Sequence, residues 1–416
     1  MKYQAVRGAR DLFGEDIKMF DRLEHLSQKI LLSYAYEEIR TPIFEKVEVF
    51  NRSLGKGTDI VSKEMYAFKD RGNRELALRP EGTAPIVRAV IEKNLIKKDK
   101  VNRFFYKGAM FRYDRPQAGR YRQFYQVGAE IFGVHDPWLD MEIIEVAVKI
   151  LQVVALEKFK LYINSLGCLE CREKYIKVLC DYLISRSKEL CPVCQNRINV
   201  NVLRVFDCKN KDCIKLLSEA PKILDYICQN CTKDFTLLKD YLDERGIEYI
   251  VDRALVRGLD YYTGSVFEIK TDMLGAQDAL AAGGRYDSLV KELGGNDIPA
   301  VGFALGEDRI IEVLKKNNVS YKYQPKITLI AVEKNAKNEI LQNMKYIDKL
   351  REKGYIVNYD ISNRSVKSQM RMAHDKKSDF VVFLEGNDRF SLKNMETGKQ
   401  EQIHGIELLK TLGAGI

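Results

Sequence analysis

Residues 102–133 read NRFFYKGAMFRYDRPQAGRYRQFYQVGAEIFG. Two apolar, aromatic-rich runs flank the basic loop DRPQAGRY, where Pro116 and Gly119 break any strand. The stretch predicts an antiparallel hairpin with a long charged tip. Alternate side chains of a strand point to opposite faces. In the second run Tyr125, Val127, Ala129 and Ile131 form an apolar face, while Gln126, Gly128 and Glu130 share the other with Phe124 and Phe132. In the first run Tyr106, Gly108, Met110 and Arg112 share one face. A register that sets Arg112 beside Gln126 and Glu130 gathers a cation, an amide and a carboxylate around two glycines; a one-residue slip splits the set. Such a floor suits a small zwitterion bound beside a phosphate. The hairpin alone leaves an ordinary solvated face open as the alternative.

The 416 residues are enough for two or three domains with sizeable cores. A hydrophobic fraction of 45% beside 31% charged residues describes a soluble globular protein. No run approaches a membrane span, and the start MKYQAVRGARDL lacks the apolar core of a signal peptide, so a cytoplasmic location is expected. The net charge of +9 favours a polyanionic partner without specifying one. All nine cysteines fall between Cys168 and Cys231. They form three CxxC pairs, Cys168/Cys171, Cys191/Cys194 and Cys228/Cys231, with Cys208 and Cys213 spaced more loosely. CxxC pairs in such a chain point to zinc before disulfides, with Cys191, Cys194, Cys228 and Cys231 as candidate ligands.

Upstream, Met19, Phe20, Leu23, Leu26, Ile30 and Leu31 recur at helical spacing, predicting a helix over about Ile17–Ser33. The following YEEIRTPIFEKVEVF is expected to be extended, with Pro42 disfavouring a central strand position. ELALRPEGTAPIVRAV, at 75–90, runs from a strand into a helix start. There Glu81 and Thr83 either hold an ammonium group together or serve only the helix N-terminus. From about 167 to 245 the chain becomes cysteine- and charge-rich with helical runs (KYIKVLCDYLISR; APKILDYICQNCTKDFTLLKDYLDER), which predicts an inserted helical module. In LVRGLDYYTGSVFEI, Arg257 precedes a turn and a strand; Tyr261 and Tyr262 would then face opposite sides, one reaching a site while the other packs. Gly283-Gly284 would let backbone approach a ligand closely. VGFALGEDRI runs into a helix near Glu307, and Arg309 in its first turn opposes the helix dipole, which makes sense with phosphate bound. Beyond about Pro325, KITLIAV, YIVNYD and DFVVFLEG alternate with helical runs, and a hairpin turns at Thr397-Gly398: an α/β domain with a mostly parallel sheet.

FRYDRPQAGRYRQFYQVGAEIFG resembles motif 2 of class II aminoacyl-tRNA synthetases, specifically the histidyl-tRNA synthetase version. The helix–strand–proline order before it is similar to motif 1, the dimer interface in the family. LRPEGT resembles the family's amino-acid-binding turn. LVRGLDYYTGSVFEI and AAGGRYDSLV resemble the two histidine-specific motifs, and VGFALGEDRI resembles motif 3. The resemblance spans nearly the whole chain in the expected order and is weakest in the cysteine-rich insert. Where the family usually carries proline after RGxxD, this chain has Gly14, a departure confined to the entry of the first helix.

The resemblance implies an α+β fold. An antiparallel-sheet catalytic domain would span 1–166 and 246–322, interrupted by the cysteine-rich helical insertion 167–245, which in the family contacts the tRNA acceptor arm. A C-terminal α/β anticodon-binding domain would occupy 323–416, with Arg364, Lys367 and Arg371 facing either RNA or solvent. It implies a homodimer that attaches L-histidine to its tRNA through a histidyl-adenylate, consuming ATP with Mg²⁺ and releasing AMP and pyrophosphate, without an enzyme nucleophile. Arg112 and Arg257 would be catalytic, Arg112 holding the α-phosphate and Arg257 lying between it and the histidine carboxylate. Arg120 and Arg309 would hold the outer phosphates and Phe124 would stack on adenine. Glu81, Thr83 and Gln126 would take the α-amino group, with Tyr261 also at the histidine end, and Glu130 and Tyr262 would bond the two imidazole nitrogens. Arg115 and Gln117 would read the acceptor end of the tRNA. The family needs no zinc for its chemistry, so free buried thiols are preferred to a structural zinc. A histidine-binding regulatory paralogue that lacks the C-terminal domain, another class II synthetase, and a catalytically silent basic RNA-binding protein are the competing readings. The retained arginines, the LVRGLDYYTGSVFEI and AAGGRYD blocks, and the clustered Glu81, Gln126 and Glu130 count against them in turn.

Overall fold

The first helix begins at a glycine for a conformational reason. Gly14 is the N-cap of α1 (Glu15–Ser33) with φ 61° and ψ −128°, a backbone state closed to proline, whose ring fixes φ near −65°. Met19, Phe20, Leu23, Leu26 and Leu31 are buried along α1 at the expected spacing, and Ile30 is half-buried. The computed structural model describes residues 3–55, 58–117, 119–275, 278–319, 324–333, 335–386 and 388–413. The chain divides into two units, Met1–Val319 and Ser320–Ile416.

After α1 come β1 (Glu37–Glu38), β2 (Phe44–Lys46), α2 (Val47–Ser53), β3 (Ala67–Lys69), β4 (Glu75–Leu78) and α3 (Thr83–Glu92). The hairpin β5 (Asn102–Phe111) and β6 (Gln123–Phe132) leads to α4 (Pro137–Val153) and β7 (Lys160–Ser165). Four helices follow: α5 (Leu169–Ser185), α6 (Pro192–Val200), α7 (Lys211–Ser218) and α8 (Gln229–Glu244). The chain returns through β8 (Ile250–Val251), β9 (Thr263–Lys270), β10 (Ala279–Arg285), α9 (Leu289–Glu292), β11 (Ala300–Gly306) and α10 (Glu307–Lys316).

Among the described residues the main sheet has the order β1-β5-β6-β11-β10-β9-β7-β8. Its inner pairings are antiparallel, and only the short edge strands β1 and β8 pair in parallel. Pro42 indeed precedes a strand at the edge of a separate sheet, β2-β4-β3. One face of the main sheet is covered by α4, whose side chains from Leu139 to Val148 are all buried and whose N-terminus is fixed by Asp136 (accepting from Trp138 N at 2.9 Å) and by Pro137 in the first turn. Residues of the insert share one core with the sheet unit: Tyr175, Leu179 and Val205 cluster with Phe50, Tyr106 and Tyr262.

Several expectations need correction. YEEIRTPIFEKVEVF is not extended throughout: its end coils into α2 because Val47, Phe50 and Leu54 fall on one buried helical face. APKILDYIC forms only a 3₁₀ turn at Ile223–Asp225, and the long helix starts after Cys228. Tyr261 and Tyr262 lie in the turn before β9 rather than in the strand, so strand alternation does not separate them.

The second unit contains β12 (Lys326–Ala331), α11 (Ala336–Gln342), α12 (Met344–Glu352), β13 (Ile356–Tyr359), α13 (Val366–Asp375), β14 (Phe380–Leu384), β15 (Arg389–Asn394), β16 (Gln400–His404) and α14 (Gly405–Gly413). Its sheet order is β13-β12-β14-β15-β16. The sheet is less parallel than expected: β12 runs parallel to β13 and β14, but β14/β15 and β15/β16 are antiparallel because the final hairpin, turning at Thr397-Gly398, extends the edge.

Candidate active site on the main sheet

The hairpin register aligns Gly108 with Gln126, Tyr106 with Gly128 and Phe104 with Glu130. The two polar sets therefore share one face, as the alternation required. Arg112 lies just past the strand end, where its backbone N–H reaches Arg122 O at 2.9 Å and its Nε donates to Pro80 O at 2.8 Å. Its guanidinium sits over Phe124, 5.2 Å from the ring centre. The opposite face carries Val127, Ala129 and Ile131 into the core, and Tyr125 meets Phe20 of α1 edge-on.

Above the polar face lies a cleft of about 290 Å³. Its lining includes Glu81, Thr83, Gln126, Tyr261 and Tyr262 together with Arg112, Arg120, Phe124, Arg257 and Arg309. Four separate segments (the turn into α3, the hairpin, the loop before β9 and α10) thus bring together ten of the residues singled out from the sequence. Glu130 does not line the cleft but lies fully buried beneath it. Arg115 and Gln117 are exposed on the hairpin tip, outside the cleft.

Glu130 is the electrostatic centre of the floor. Thr83 Oγ1 donates to one carboxyl oxygen at 2.7 Å and the Tyr286 hydroxyl donates to the other. Burial pushes the Glu130 pKa up to about 8, against the two hydrogen bonds that favour the carboxylate. A Cβ at Gly302, on the neighbouring β11, would fall on this carboxyl group, so the position requires glycine. Tyr106 is similarly wedged between Gly82 and Gly128, with its hydroxyl buried and unpartnered. The Gln126 side-chain oxygen is also buried without a partner. Glu81 serves two ends: its carboxylate accepts from the N–H groups of Thr83 (2.7 Å) and Ala84 (2.9 Å), capping α3, while lining the cleft. Burial raises its pKa despite those bonds.

At the other end Arg257 pairs with Glu268, which also meets Lys270 at 3.0 Å, and Arg257 Nε is buried without a partner. Arg120 pairs with Asp114 inside the hairpin loop. Arg309, in the first turn of α10, donates to Ala279 O at 2.8 Å. Burial, and then the nearby charges of Arg112 and Arg120, lower its pKa. The N-terminal RGARDL segment braces the loop: Arg10 bonds Asp308 at 2.6 Å and stacks on Tyr121 at 4.1 Å, and Gly8 O accepts from Arg122 N at 2.7 Å.

Two readings change. Tyr261 and Tyr262 both line the cleft, their ring centres 4.7 Å apart. Gly283 and Gly284 do not; a Cβ at either would strike the adjoining strands, so they serve close strand packing rather than a ligand. Sequence reasoning also missed Tyr286, Glu268 and Asp308, although Tyr286 stands in the quoted AAGGRYD block. The proposed cysteine set is split: Cys191 and Cys194 converge with Cys208 and Cys213, whereas Cys228 and Cys231 converge with Cys168 and Cys171.

Comparisons with known proteins identify the family. A family model described as Histidyl-tRNA synthetase matches residues 8–310. The histidine–tRNA ligase of Halothermothrix orenii is 43% identical over 99% of this chain and 99% of its own length. That of Thermotoga maritima is 42% identical over 97% and 96%. The apo histidyl-tRNA synthetase of S. aureus has a TM-score of 0.80 at 31% identity, covering 99% of this chain and 100% of that one. A structure titled ATP phosphoribosyltransferase regulatory subunit/histidyl-tRNA synthetase, from Bacillus halodurans, shares the fold with a TM-score of 0.65 at 22% identity, over 93% and 99%. A family match across most of the first unit, with near-complete coverage by ligases, places the chain in the histidyl-tRNA synthetase family.

Proposed function

We propose that the chain joins L-histidine to its tRNA in two steps. In the first, a carboxylate oxygen of histidine attacks the α-phosphorus of ATP, the bond to the β-phosphate oxygen breaks, and pyrophosphate leaves. In the second, a ribose hydroxyl of the terminal adenosine attacks the acyl carbon and AMP leaves. Neither step needs an enzyme nucleophile, so catalysis rests on placement and charge.

The observation that carries this reading is the gathering of four arginines, an amide and a buried carboxylate turn in one cleft. Arg112, Arg120, Arg257 and Arg309 line it together; burial first, and then repulsion from Arg112 and Arg120, lowers the Arg309 pKa, and a bound polyphosphate would relieve that repulsion. Arg112 takes the α-phosphate, Arg120 and Arg309 the outer phosphates, and Phe124 the adenine. Arg257 stands between the phosphate and the histidine carboxylate; to act there its guanidinium must share or leave Glu268. Glu81, Thr83 and Gln126 receive the ammonium group, with Tyr261 beside them. Glu130 and Tyr262 bond the imidazole nitrogens, a paired polar demand that rejects side chains offering one partner or none; because Glu130 is buried beneath the cleft and bonded to Thr83 and Tyr286, the floor must shift for the ring to reach it. Mg²⁺ would neutralise the ATP phosphates. The cleft carboxylates fit it poorly as they stand, because Glu81, Asp114, Glu268 and Asp308 are each already partnered, and no step is assigned through a protein-bound ion.

Arg115 and Gln117, exposed on the tip, would read the acceptor end of the tRNA. Arg364, Lys367 and Arg371, exposed in the second unit, would face RNA from an anticodon-binding domain of 323–416, and the insertion 167–245 would contact the acceptor arm. A homodimer through the motif 1 region is supported by Ile43 and Phe44, 47% and 53% exposed there; a monomer mass in sedimentation equilibrium at micromolar concentration would overturn it. Among the described residues no helix is long and apolar enough to cross a membrane, which is compatible with a cytoplasmic site of action.

The test is pyrophosphate exchange into ATP with each of the twenty amino acids supplied singly and no tRNA. Exchange with histidine alone is expected. Exchange with another amino acid overturns the roles of Glu130 and Tyr262. No exchange with any, together with measurable histidine binding, moves the assignment to the regulatory paralogue.

A further inference from the structure

Eight of the nine cysteines fall into two groups of four. Cys168, Cys171, Cys228 and Cys231 form one, and Cys191, Cys194, Cys208 and Cys213 the other, with the sulfur atoms of each group within 4.8 Å of one another. The ninth, Cys180, belongs to neither and packs against the core. Individual Sγ···Sγ separations are 3.4 Å for Cys168/Cys171, 3.5 Å for Cys228/Cys231 and 3.8 Å for Cys191/Cys208. A disulfide holds its sulfurs at about 2.05 Å, so these are not bonded pairs. Four thiolates at about 2.3 Å from one ion stand about 3.8 Å apart along the edges of a tetrahedron. An iron–sulfur cube gives each cysteine a different iron and spreads the sulfurs wider than a single ion does.

The surrounding backbone is arranged for thiolates. Cys168, Cys191 and Cys228 are the N-caps of α5, α6 and α8, and Cys171, Cys194, Cys231 and Cys213 occupy the first turns of α5, α6, α8 and α7. Backbone N–H groups point at sulfur in both groups: Cys168 N to Cys231 Sγ (3.2 Å), Cys228 N to Cys171 Sγ (3.0 Å), Cys191 N to Cys213 Sγ (3.2 Å) and Asn210 N to Cys208 Sγ (3.4 Å). Such donors and helix starts offset the negative charge that four thiolates bring to a divalent ion. Buried free thiols, the preference from sequence, would not require this convergence, and only Cys171, Cys194 and Cys213 are in fact buried.

The geometry points to two structural zinc sites, each a closed tetrathiolate, one nested in sequence between the two halves of the other. With all four positions taken by cysteine, neither site has an open coordination position for substrate. Their place in the fold gives them a role. The Cys168/Cys171/Cys228/Cys231 site clamps the start of the insert to its last helix, beside the bond from Gly264 N to Gly167 O (2.9 Å). From α5, Arg172 donates to the carbonyls of Asp260 (2.8 Å) and Tyr262 (3.3 Å). The other site closes the lobe that carries Asn201, bonded to Asp260, and Arg204, bonded to Asp59. Both sites thus brace the loop that carries Arg257, Tyr261 and Tyr262.

The inference does not depend on the proposed reaction, and metal content tests it directly. The full chain, purified without metal-affinity resin or added metal, is expected to contain two zinc atoms by elemental mass spectrometry. Titration of the folded wild type with an organomercurial should release both to a metallochromic dye, a readout that does not rely on a variant folding. Cys231→Ser and Cys213→Ser should each retain one zinc, and Cys180→Ser should retain two. Cobalt(II) incorporated during expression should give the visible absorption of tetrahedral thiolate coordination. A folded chain that carries no metal overturns both sites. Iron in the same stoichiometry overturns the choice of ion, and a single zinc lost only in Cys231→Ser overturns the nested site.

Discussion

If Glu130 bonds the imidazole as a carboxylate, histidine affinity must follow its ionisation. With a pKa of about 8 in the free protein, roughly one molecule in eleven carries the competent form at pH 7, an apparent penalty of about 1.4 kcal/mol. By pH 8.5 roughly three-quarters carry it, so the KM for histidine should fall about eightfold between these values. The imidazole of free histidine is already largely neutral across this window, so its titration contributes little; loss of the α-ammonium proton would raise KM with pH and so acts against the expected fall. The assay is pyrophosphate exchange at saturating ATP, with KM for histidine measured at half-unit steps. Two variants separate this account from a general pH effect. Glu130→Gln should flatten the dependence at a higher KM. Tyr286→Phe removes a hydrogen bond that holds the Glu130 pKa down, so the transition should move to higher pH. A wild-type KM flat from pH 7 to 8.5, or a transition moved to lower pH in Tyr286→Phe, refutes the reasoning.

Gly302→Ala should displace the Glu130 carboxyl group and break its bonds to Thr83 and Tyr286; at about 1.5–3 kcal/mol for a hydrogen bond to a charged group, KM for histidine should rise about 10–150-fold while KM for ATP stays within error. Arg257→His should cripple adenylate formation with little loss of ATP binding, because its charge matters most in the transition state; an unaltered single-turnover adenylation rate rejects the role. Alanine at Arg115 or Gln117 should weaken tRNA charging and spare pyrophosphate exchange, and equal loss in both assays counts against acceptor reading. His135 bonds Asp287 of the sheet unit and Asp234 of α8, each at 3.0 Å, and the Asp287 bond first, opposed by burial, raises its pKa to about 9. The link should therefore stabilise fully below about pH 6.5 and be lost as pH rises through 9; the Tm gap between wild type and His135→Asn should close between pH 7 and 10, modestly because the ring is 47% exposed, and a gap constant with pH refutes it.

What the sequence made legible was governed by short range. The hairpin faces followed from alternation alone, since a pleated strand has a period of two and one register satisfies both apolar and polar sets. Arg309 in a first helical turn, the glycine-bearing strand before it and the strand-to-helix turn at Glu81 were similarly local. Failures came where local pattern was ambiguous. VEVF has the β-branched composition of a strand but buries residues at helical spacing, and its packing beneath α3 decides the matter. Gly283-Gly284 resembled a ligand cradle because the sequence cannot tell a ligand's backbone approach from a neighbouring strand's.

The remaining parts of the site depend on contacts between distant segments. Tyr286 reaches Glu130 across 156 positions of sequence, and the two are brought within a hydrogen bond only because β10 and β6 both flank β11. The loop from Arg257 to Tyr262 has no strand or helix of its own to fix it. Its carbonyls are held from α5 by Arg172 and its Asp260 side chain from the cysteine-rich lobe by Asn201, so its shape is written 59 to 90 residues upstream. The cysteines carry the same lesson. Each CxxC pair is legible as half of a ligand set, but which half completes which is a property of helix packing, and the fold joins the outer two pairs to each other while the inner pair closes with Cys208 and Cys213. The segment where the family resemblance is weakest is therefore the one that holds the least self-supporting loop of the cleft.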